Sequence, residues 1–138
     1  MLNHEQLLEI ADGNLDACNF LEAFQLRAHL LDDIADQDKE VTDTLLVDSE
    51  VDWLVTLSSN PFFLQHSAHL LPVMILGLNA WRDSNRWRLS TDSGKRGAAD
   101  VLKGFYHEVA YAVAFLTGGM GHLAMMTAKF REYDMEAK

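Results

Sequence analysis

The sequence predicts an all-α protein, a compact helical bundle of about six helices of which about four are long. The chain has 138 residues with only two prolines and eight glycines, so long stretches carry no helix breaker. Apolar residues recur at three- and four-residue spacing, which lays them along one face of a helix. No segment alternates apolar and polar residues as a half-buried strand does. We therefore expect a single helical domain over residues 1–138.

The first two helices are expected within residues 3–36. A short helix over residues 3–11 ends near Gly13, because glycine readily takes the left-handed conformation that closes a helix. A second, long helix is expected to begin at an N-cap formed by Asp16 and to reach Asp36. The following apolar residues of this helix are predicted to share one inward face: Phe20, Ala23, Phe24, Leu31 and Ile34.

A third helix is expected over residues 41–57. Its inward residues are predicted to be Leu46, Val51, Leu54 and Leu57. Its outward residues are predicted to be Asp43, Asp48, Glu50 and Asp52. The helix is therefore expected to bury an aliphatic face and to expose an acidic one.

The clearest helix start lies at Asn60 and Pro61. Asparagine is a good N-cap, and proline suits the first helical position because its missing N–H has no helical partner there. This helix is expected to reach about Trp81. The remaining elements are expected in this order: a polar connector over residues 83–96, a helix over residues 97–116 closed by Gly118 and Gly119, and a last helix from about Met120 to Tyr133.

Charge and composition exclude several classes of protein. The formal charge of −10 argues against binding to a nucleic-acid duplex, which requires a basic face. One cysteine excludes an intramolecular disulfide. The N-terminal residues lack the pattern of a signal peptide, so we expect a cytoplasmic protein. Residues 61–81 and 109–128 carry no Asp, Glu, Lys or Arg, and each segment is long enough to span a membrane. Polar residues such as His66 in the first segment and the glycines that interrupt the second favour helices buried in a protein core over a membrane partner.

A line of acidic residues along the second helix is a candidate metal site. At about 100° per residue, Glu22, His29 and Asp33 fall on one side of the helix together with Asp36. Asp32 completes an Asp-Asp-x-x-Asp run. Oxygen ligands on adjacent turns can hold a divalent cation that binds a phosphate group. The sequence therefore predicts Mg²⁺ or Mn²⁺ bound by Asp32, Asp33, Asp36 and Glu22, although a solvated acidic face needs no metal.

Over five residues, Asp32 to Asp36, this run resembles the first aspartate-rich motif of trans-isoprenyl diphosphate and terpene synthases. The resemblance implies Mg²⁺-dependent binding of a diphosphate. The chain is shorter than that fold and contains no second motif at the expected separation. The pairs Glu9/Asp12 and Asp33/Asp36 are also loosely similar to the helices of all-α nucleotide pyrophosphatases, without that family's Glu-x-x-Glu.

Positive charge is concentrated in one segment. Residues 82–103 carry six of the eleven lysines and arginines. Lys95 and Arg96 lie where a helix is expected to begin and where free N–H groups would point outward, so they and Arg82 are candidate phosphate-binding residues. The alternative is that this basic segment only balances acidic helices within the fold.

Histidines supply candidate general bases. His107 shares a helix line with Asp100 and Tyr111, and His29 lies on the acidic line of the second helix. His29, His107 and either His66 or His69 could meet at one interior with Glu22 and Asp33, a set adequate for Zn²⁺, Mn²⁺ or Fe²⁺. The alternative is that each histidine has only a structural role in the core or in an interface.

These observations predict a divalent-metal-dependent phosphoester or diphosphate hydrolase that acts on a small phosphorylated, nucleotide-like molecule. In it, His107 or His29 activates water as the catalytic base, the acidic helix holds the metal and the basic segment binds phosphate. The alternative is a non-enzymatic helical protein that acts through self-association or partner-protein binding, because two nearly uncharged helices in a short chain leave apolar surface to cover. In either case we expect a homo-oligomer.

Overall fold

A computed structural model of the chain describes residues 1–37 and 39–136. These residues form helices and no strand, which confirms the all-α fold class. The elements are α1 (His4–Ile10), α2 (Leu15–Asp36), α3 (Asp43–Ser59), α4 (Pro61–Trp87), α5 (Ser93–Gly104), a 3₁₀ turn (Phe105–His107) and α6 (Glu108–Glu136). Because α5, the 3₁₀ turn and α6 follow one another along the chain without a connecting loop, the described residues form five helical segments, one fewer than expected.

The chain divides into two compact units, Met1–His66 and Ser67–Lys138. The boundary falls inside α4, which contributes its first residues to the first unit and the rest to the second. Each unit is described below by itself. The single domain over residues 1–138 stays a prediction.

In the first unit, α1 and α2 form a helical hairpin. Asn3 caps α1 in a capping box with Gln6, and the turn uses left-handed backbone at Asp12 and Gly13, with φ of 50° and 79°. The helix stop expected near Gly13 is therefore confirmed. The expected N-cap Asp16 is wrong, because the Asn14 side chain accepts a 3.0 Å hydrogen bond from Ala17 N. Asp16 lies instead in the first turn of α2, where its charge favours the helix dipole.

Aromatic rings join α2, α3 and the start of α4. Trp53 stacks on Phe20 with ring centroids 6.2 Å apart and lies 6.4 Å from Phe24. Phe20 also stacks on Phe63 at 5.5 Å. Rings at these separations attract one another beyond the burial of their area. In addition, Arg27 Nη1 of α2 lies 2.5 Å from Glu50 Oε2 of α3. The first unit is therefore built around Phe20, which is fully buried.

The inward face expected for α3 is wrong. None of residues 43–59 is buried, and Leu46, Val51 and Leu54 are exposed. The side that meets α2 carries Trp53 and the half-buried Glu50, which had been expected to point outward. Spacing alone cannot choose between two faces of a helix that are both partly apolar, and here the aromatic contacts of Trp53 decide. The predicted inward face of α2 is right at Phe20 and Phe24 and wrong at Ile34, which is 43% exposed.

The helix start at Asn60 and Pro61 is confirmed. Asn60 Oδ1 accepts a 2.9 Å hydrogen bond from Phe63 N, and Asn60 Nδ2 donates to Asp16 O at 2.9 Å. The expected connector over residues 83–96 is wrong for most of its length, since α4 continues to Trp87 and α5 begins at Ser93. Polar composition alone does not separate a loop from a helix start, because N-cap residues are polar too. Here Asp92 is the N-cap of α5, and its side chain accepts hydrogen bonds from Gly94 N and Lys95 N.

In the second unit, α4 packs one face against the 3₁₀ turn and α5. Leu70, Met74 and Ala80 are buried on this face, and Ser84 Oγ donates a 2.7 Å hydrogen bond to Ala99 O. At Gly77 the backbones approach so closely that an added Cβ would lie 2.9 Å from Tyr106 Cα. Glycine is therefore required at this contact.

The helix α6 folds back on itself at Gly119. Gly119 has φ of 79° and ψ of −171°, which lies outside the helical region. Glu108 and Arg131 are 23 residues apart, yet Arg131 Nη1 donates to Glu108 Oε1 at 2.7 Å. In a straight helix they would be separated by about 35 Å, at 1.5 Å per residue. The helix break expected at Gly118 and Gly119 is therefore confirmed, and residues 108–118 and 120–136 form two arms of a hairpin.

Gly77→Ala is expected to lower the free energy of unfolding by about 1–3 kcal/mol, because the new methyl group would overlap the Tyr106 backbone. Gly97→Ala is the matched control. It lies in α5 with nothing within 4 Å of its Cβ position, so it should leave stability unchanged or raise it by up to about 1 kcal/mol. Urea unfolding of both variants measures the difference, and equal effects would contradict the close approach.

Candidate functional site

The predicted acidic ligands on α2 do not form a group of three. His29 Nε2 lies 3.8 Å from Asp33 Oδ2, one turn along the helix. Asp32 and Asp36 are half-buried on the same helix. Within the described part of the chain, no set of three ligand atoms within 4.8 Å includes Asp32, Asp33 or Asp36. Their role as ligands of Mg²⁺ or Mn²⁺ stays a prediction.

Glu22, the fourth predicted ligand, belongs to a different cluster. The ligand atoms of His4, Cys18 and Glu22 all lie within 4.8 Å of one another. His4 Nδ1 makes a short contact with Glu22 Oε1, and Cys18 Sγ lies 3.8 Å from His4 Nδ1. Cys18 is fully buried, whereas the side chains of His4 and Glu22 reach solvent. We refer to these three residues as the α1–α2 cluster.

Burial raises the pKa of the Cys18 thiol, and the negative charge of Glu22 adds to this rise. At neutral pH the thiol is therefore protonated. The nucleophile in thiol chemistry is the thiolate, so this cysteine is a poor nucleophile in the absence of a bound cation.

His4 and Cys18 are partners of Glu22 that were not predicted from the sequence. Cys18 and Glu22 are one turn apart on α2, which places them on one face. The signal that locates His4 is the turn at Asp12 and Gly13, because an antiparallel hairpin reversed there brings residue 4 opposite residues near 21. Gly13 was interpreted only as a helix stop, not as the point of reversal of two packed helices.

The predicted phosphate-binding residues all have partners within the second unit. Arg96 Nη1 donates to Ser90 O at 2.9 Å, Arg82 Nη2 donates to Asn79 Oδ1 at 2.6 Å, and Lys95 Nζ lies 5.8 Å from the centre of the Trp87 ring. The Asp92 carboxylate accepts the N–H groups of Gly94 and Lys95. The free N–H groups expected at the start of this helix are therefore already occupied by an acid. Phosphate binding by Lys95, Arg96 and Arg82 stays a prediction.

The two candidate general bases lie in different units. His29 is exposed on α2 in the first unit, and His107 is half-buried at the end of the 3₁₀ turn in the second. His107 packs beside Tyr106, with ring centroids 6.3 Å apart. His66 contacts the Phe62 ring at 4.6 Å, and His69 is exposed on α4. A catalytic role for His29 or His107 stays a prediction.

The α6 hairpin and Val73 of α4 enclose an apolar groove of about 790 Å³. Phe115 and Met120 stand at the groove and are half or more exposed. Glu108 and Arg131 line it as an ion pair, and the Arg131 guanidinium lies 4.9 Å from the Tyr111 ring. The charges of Glu108 and Arg131 neutralise each other, so the groove presents mainly apolar atoms.

A second apolar surface runs along α4, on a side adjacent to its buried face. Leu71, Ile75 and Leu78 are 43%, 62% and 40% exposed. Together with the exposed Ala68 they recur at spacings of three, four and three residues. At about 100° per residue, the centre of this set lies roughly 100° around the helix from the buried residues Leu70 and Met74. We call Ala68, Leu71, Ile75 and Leu78 the α4 stripe.

Two helical runs among the described residues, Pro61–Trp87 and Ser93–Glu132, are long and apolar enough to cross a membrane by length and composition alone. Core helices of soluble proteins pass the same test. Only 28% of each apolar window is buried, which is less than the sequence analysis expects of core helices. The reversal at Gly119 divides the 40 residues of the second run into residues 93–118 and residues 120–132, so this run is not one straight helix.

No protein family model, no curated protein and no solved structure matches this chain.

Cys18 is expected to react with iodoacetamide about a hundredfold more slowly in the native protein than in denaturant, because the thiol is buried and protonated. The reaction is measured at pH 8 with a chelator present, by mass spectrometry. Cys18 is the one cysteine of the sequence, so each modified chain reports this site alone. Equal rates in the two conditions would contradict the burial of the thiol.

Proposed function

We propose that this chain acts as a self-associating helical protein in which the α4 stripe of one copy packs against the α4 stripe of a second. The observation that supports this most directly is that α4 is apolar on two adjacent sides while its own unit buries only one of them. Leaving aliphatic side chains exposed forfeits about 25 cal/mol for each Å² that could be buried. A second copy is the occupant that every solution of this protein contains.

The spacing of the α4 stripe suits helix–helix pairing. Alternating steps of three and four residues keep a seam on one side of a helix and are the repeat by which helices pack along their length. The order three, four, three is the same in both directions. An antiparallel partner would therefore place Ala68 opposite Leu78 and Leu71 opposite Ile75, pairing a small residue with a large one at each end.

Charge favours a second copy at this surface. Each chain carries a formal charge of −10, so two copies repel over most of their surface. Residues 61–81 carry no charged side chain, so the stripe brings no like charges together in a two-fold pairing. A two-fold interface brings the same patch of both subunits together, so this patch must be complementary to itself.

The metal-dependent phosphohydrolase predicted from the sequence has less support. Its acidic ligands do not form a three-ligand group among the described residues, and an aspartate takes the helix N-terminus that phosphate was expected to occupy. For this reason we propose the non-enzymatic alternative.

The proposal is tested by sedimentation velocity. The wild-type chain should sediment as a dimer, at twice its mass of 15.6 kDa. Ile75→Glu should shift it to the monomer, because each new carboxylate would be buried without a partner charge against Leu71 of the second copy. Leu89→Glu is the matched control, since Leu89 is 82% exposed outside the stripe and its replacement should leave the dimer intact.

A monomeric wild-type chain at high micromolar concentration would refute the proposal, and so would an Ile75→Glu variant that remains dimeric. Wild-type protein that stays monomeric and sediments with lipid vesicles would assign α4 to a membrane surface. Circular dichroism of Ile75→Glu and Leu89→Glu shows that both variants remain helical.

The antiparallel orientation has its own test. When Ala68→Cys protein is mixed with Leu78→Cys protein under oxidising conditions, a cross-linked pair should form, because the two positions face each other across the two-fold axis. Either variant alone should cross-link far less, since residue 68 of one copy lies away from residue 68 of the other. Efficient cross-linking of Ala68→Cys with itself would indicate parallel helices instead.

A further inference from the structure

We propose that the α1–α2 cluster of His4, Cys18 and Glu22 is a zinc-binding site. The cluster lies in the first unit and is independent of the α4 stripe, so either proposal can fail without the other. It supplies one nitrogen, one sulfur and one oxygen ligand within 4.8 Å of one another.

The distance between sulfur and nitrogen in the cluster is close to that in a tetrahedral zinc site. Zn–S and Zn–N bonds of about 2.3 Å and 2.0 Å place sulfur and nitrogen about 3.5 Å apart around one ion. Cys18 Sγ and His4 Nδ1 are 3.8 Å apart. His4 Nδ1 and Glu22 Oε1 are in direct contact, so a small rotation of the two partly exposed side chains opens room for the ion between them.

The ligand types select the metal. Thiolate and imidazole favour Zn²⁺, whereas Mg²⁺, Mn²⁺ and Ca²⁺ prefer sites made of oxygen ligands. Thiolate from Cys18 and carboxylate from Glu22 would contribute two negative charges, which the dication balances. Three protein ligands leave a fourth position for water, and His4 and Glu22 lie on the solvent side of the cluster.

Hydrogen bonds of neighbouring residues hold His4, the first of the three ligands, in place. His4 is the first residue of α1, directly after the N-cap Asn3, whose side chain and backbone both bond to Gln6. The backbone of Leu2 makes two hydrogen bonds of 2.9 Å to the Gln25 side chain of α2, one through its N–H and one through its carbonyl. This clamp fixes the start of α1 against α2 one turn from Glu22. The His4 ring is thereby held over Cys18 before any metal arrives.

The site is tested by titrating the purified, metal-free chain with Co²⁺ and Zn²⁺. Co²⁺ should bind one equivalent and give an intense near-ultraviolet thiolate-to-cobalt absorption band, which Zn²⁺ then displaces. The band requires a sulfur ligand, and Cys18 is the one cysteine in the sequence. Zn²⁺ should also raise the melting temperature, because it binds the folded hairpin.

His4→Ala removes an exposed ligand, so the variant should fold and should bind Zn²⁺ at least tenfold more weakly than wild type. His69→Ala is the matched control, since His69 is also an exposed histidine but lies on α4. Cys18→Ser should abolish the thiolate band, and His4→Ala tests the site even if Cys18→Ser proves unstable.

No thiolate band with Co²⁺ in the wild-type chain would overturn the proposal. Equal Zn²⁺ affinities of wild type and His4→Ala would also overturn it. Zn²⁺ binding that persists in His4→Ala and Cys18→Ser but is lost in Asp33→Asn would place the metal on the acidic line of α2 instead.

Discussion

Two reversals of the chain, each made at a glycine with a positive φ, bring together side chains that are far apart in the sequence. Gly13 turns α1 back onto α2, so His4 meets Cys18 and Glu22. Gly119 turns α6 onto itself, so Arg131 meets Glu108 and an apolar groove forms between the arms. Residues with a side chain rarely adopt this backbone conformation, so the local geometry of two positions determines contacts between residues far apart in the sequence.

The second feature of the molecule is its excess of apolar surface. Helix α4 packs one side against its own unit at Leu70, Met74 and Gly77, and an adjacent side carries the α4 stripe. A chain of this length does not bury every apolar face that its helices present, because a small domain buries a smaller share of its surface than a large one. Contiguous exposed apolar patches in water mark surfaces of interaction. The self-association proposed for α4 follows from this imbalance.

In the α1–α2 cluster and in the basic segment, side chains that the sequence suggests are free to bind a ligand have partners within the fold. Asp92 appears as one more polar residue of a connector, yet it caps α5 and satisfies the N–H groups that a phosphate would have needed. Glu22 appears as part of an acidic line, yet its neighbours are a histidine and a buried thiol from another part of the hairpin. In both cases the role of an ionisable side chain is determined by its partners in the fold and not by its neighbours in the sequence.

The sequence by itself determined the helical class, the stop near Gly13, the start at Asn60 and Pro61, and the break at Gly118 and Gly119. These features depend on local backbone preferences and on hydrogen bonds within a few residues, which composition and spacing express directly. Only the tertiary structure decided that α3 turns Trp53 and not Leu54 toward α2, and that Glu22 lies with His4 and Cys18 and not with Asp33. A helix with apolar residues on two sides satisfies its local preferences equally well in either orientation, so the packing partner makes the choice.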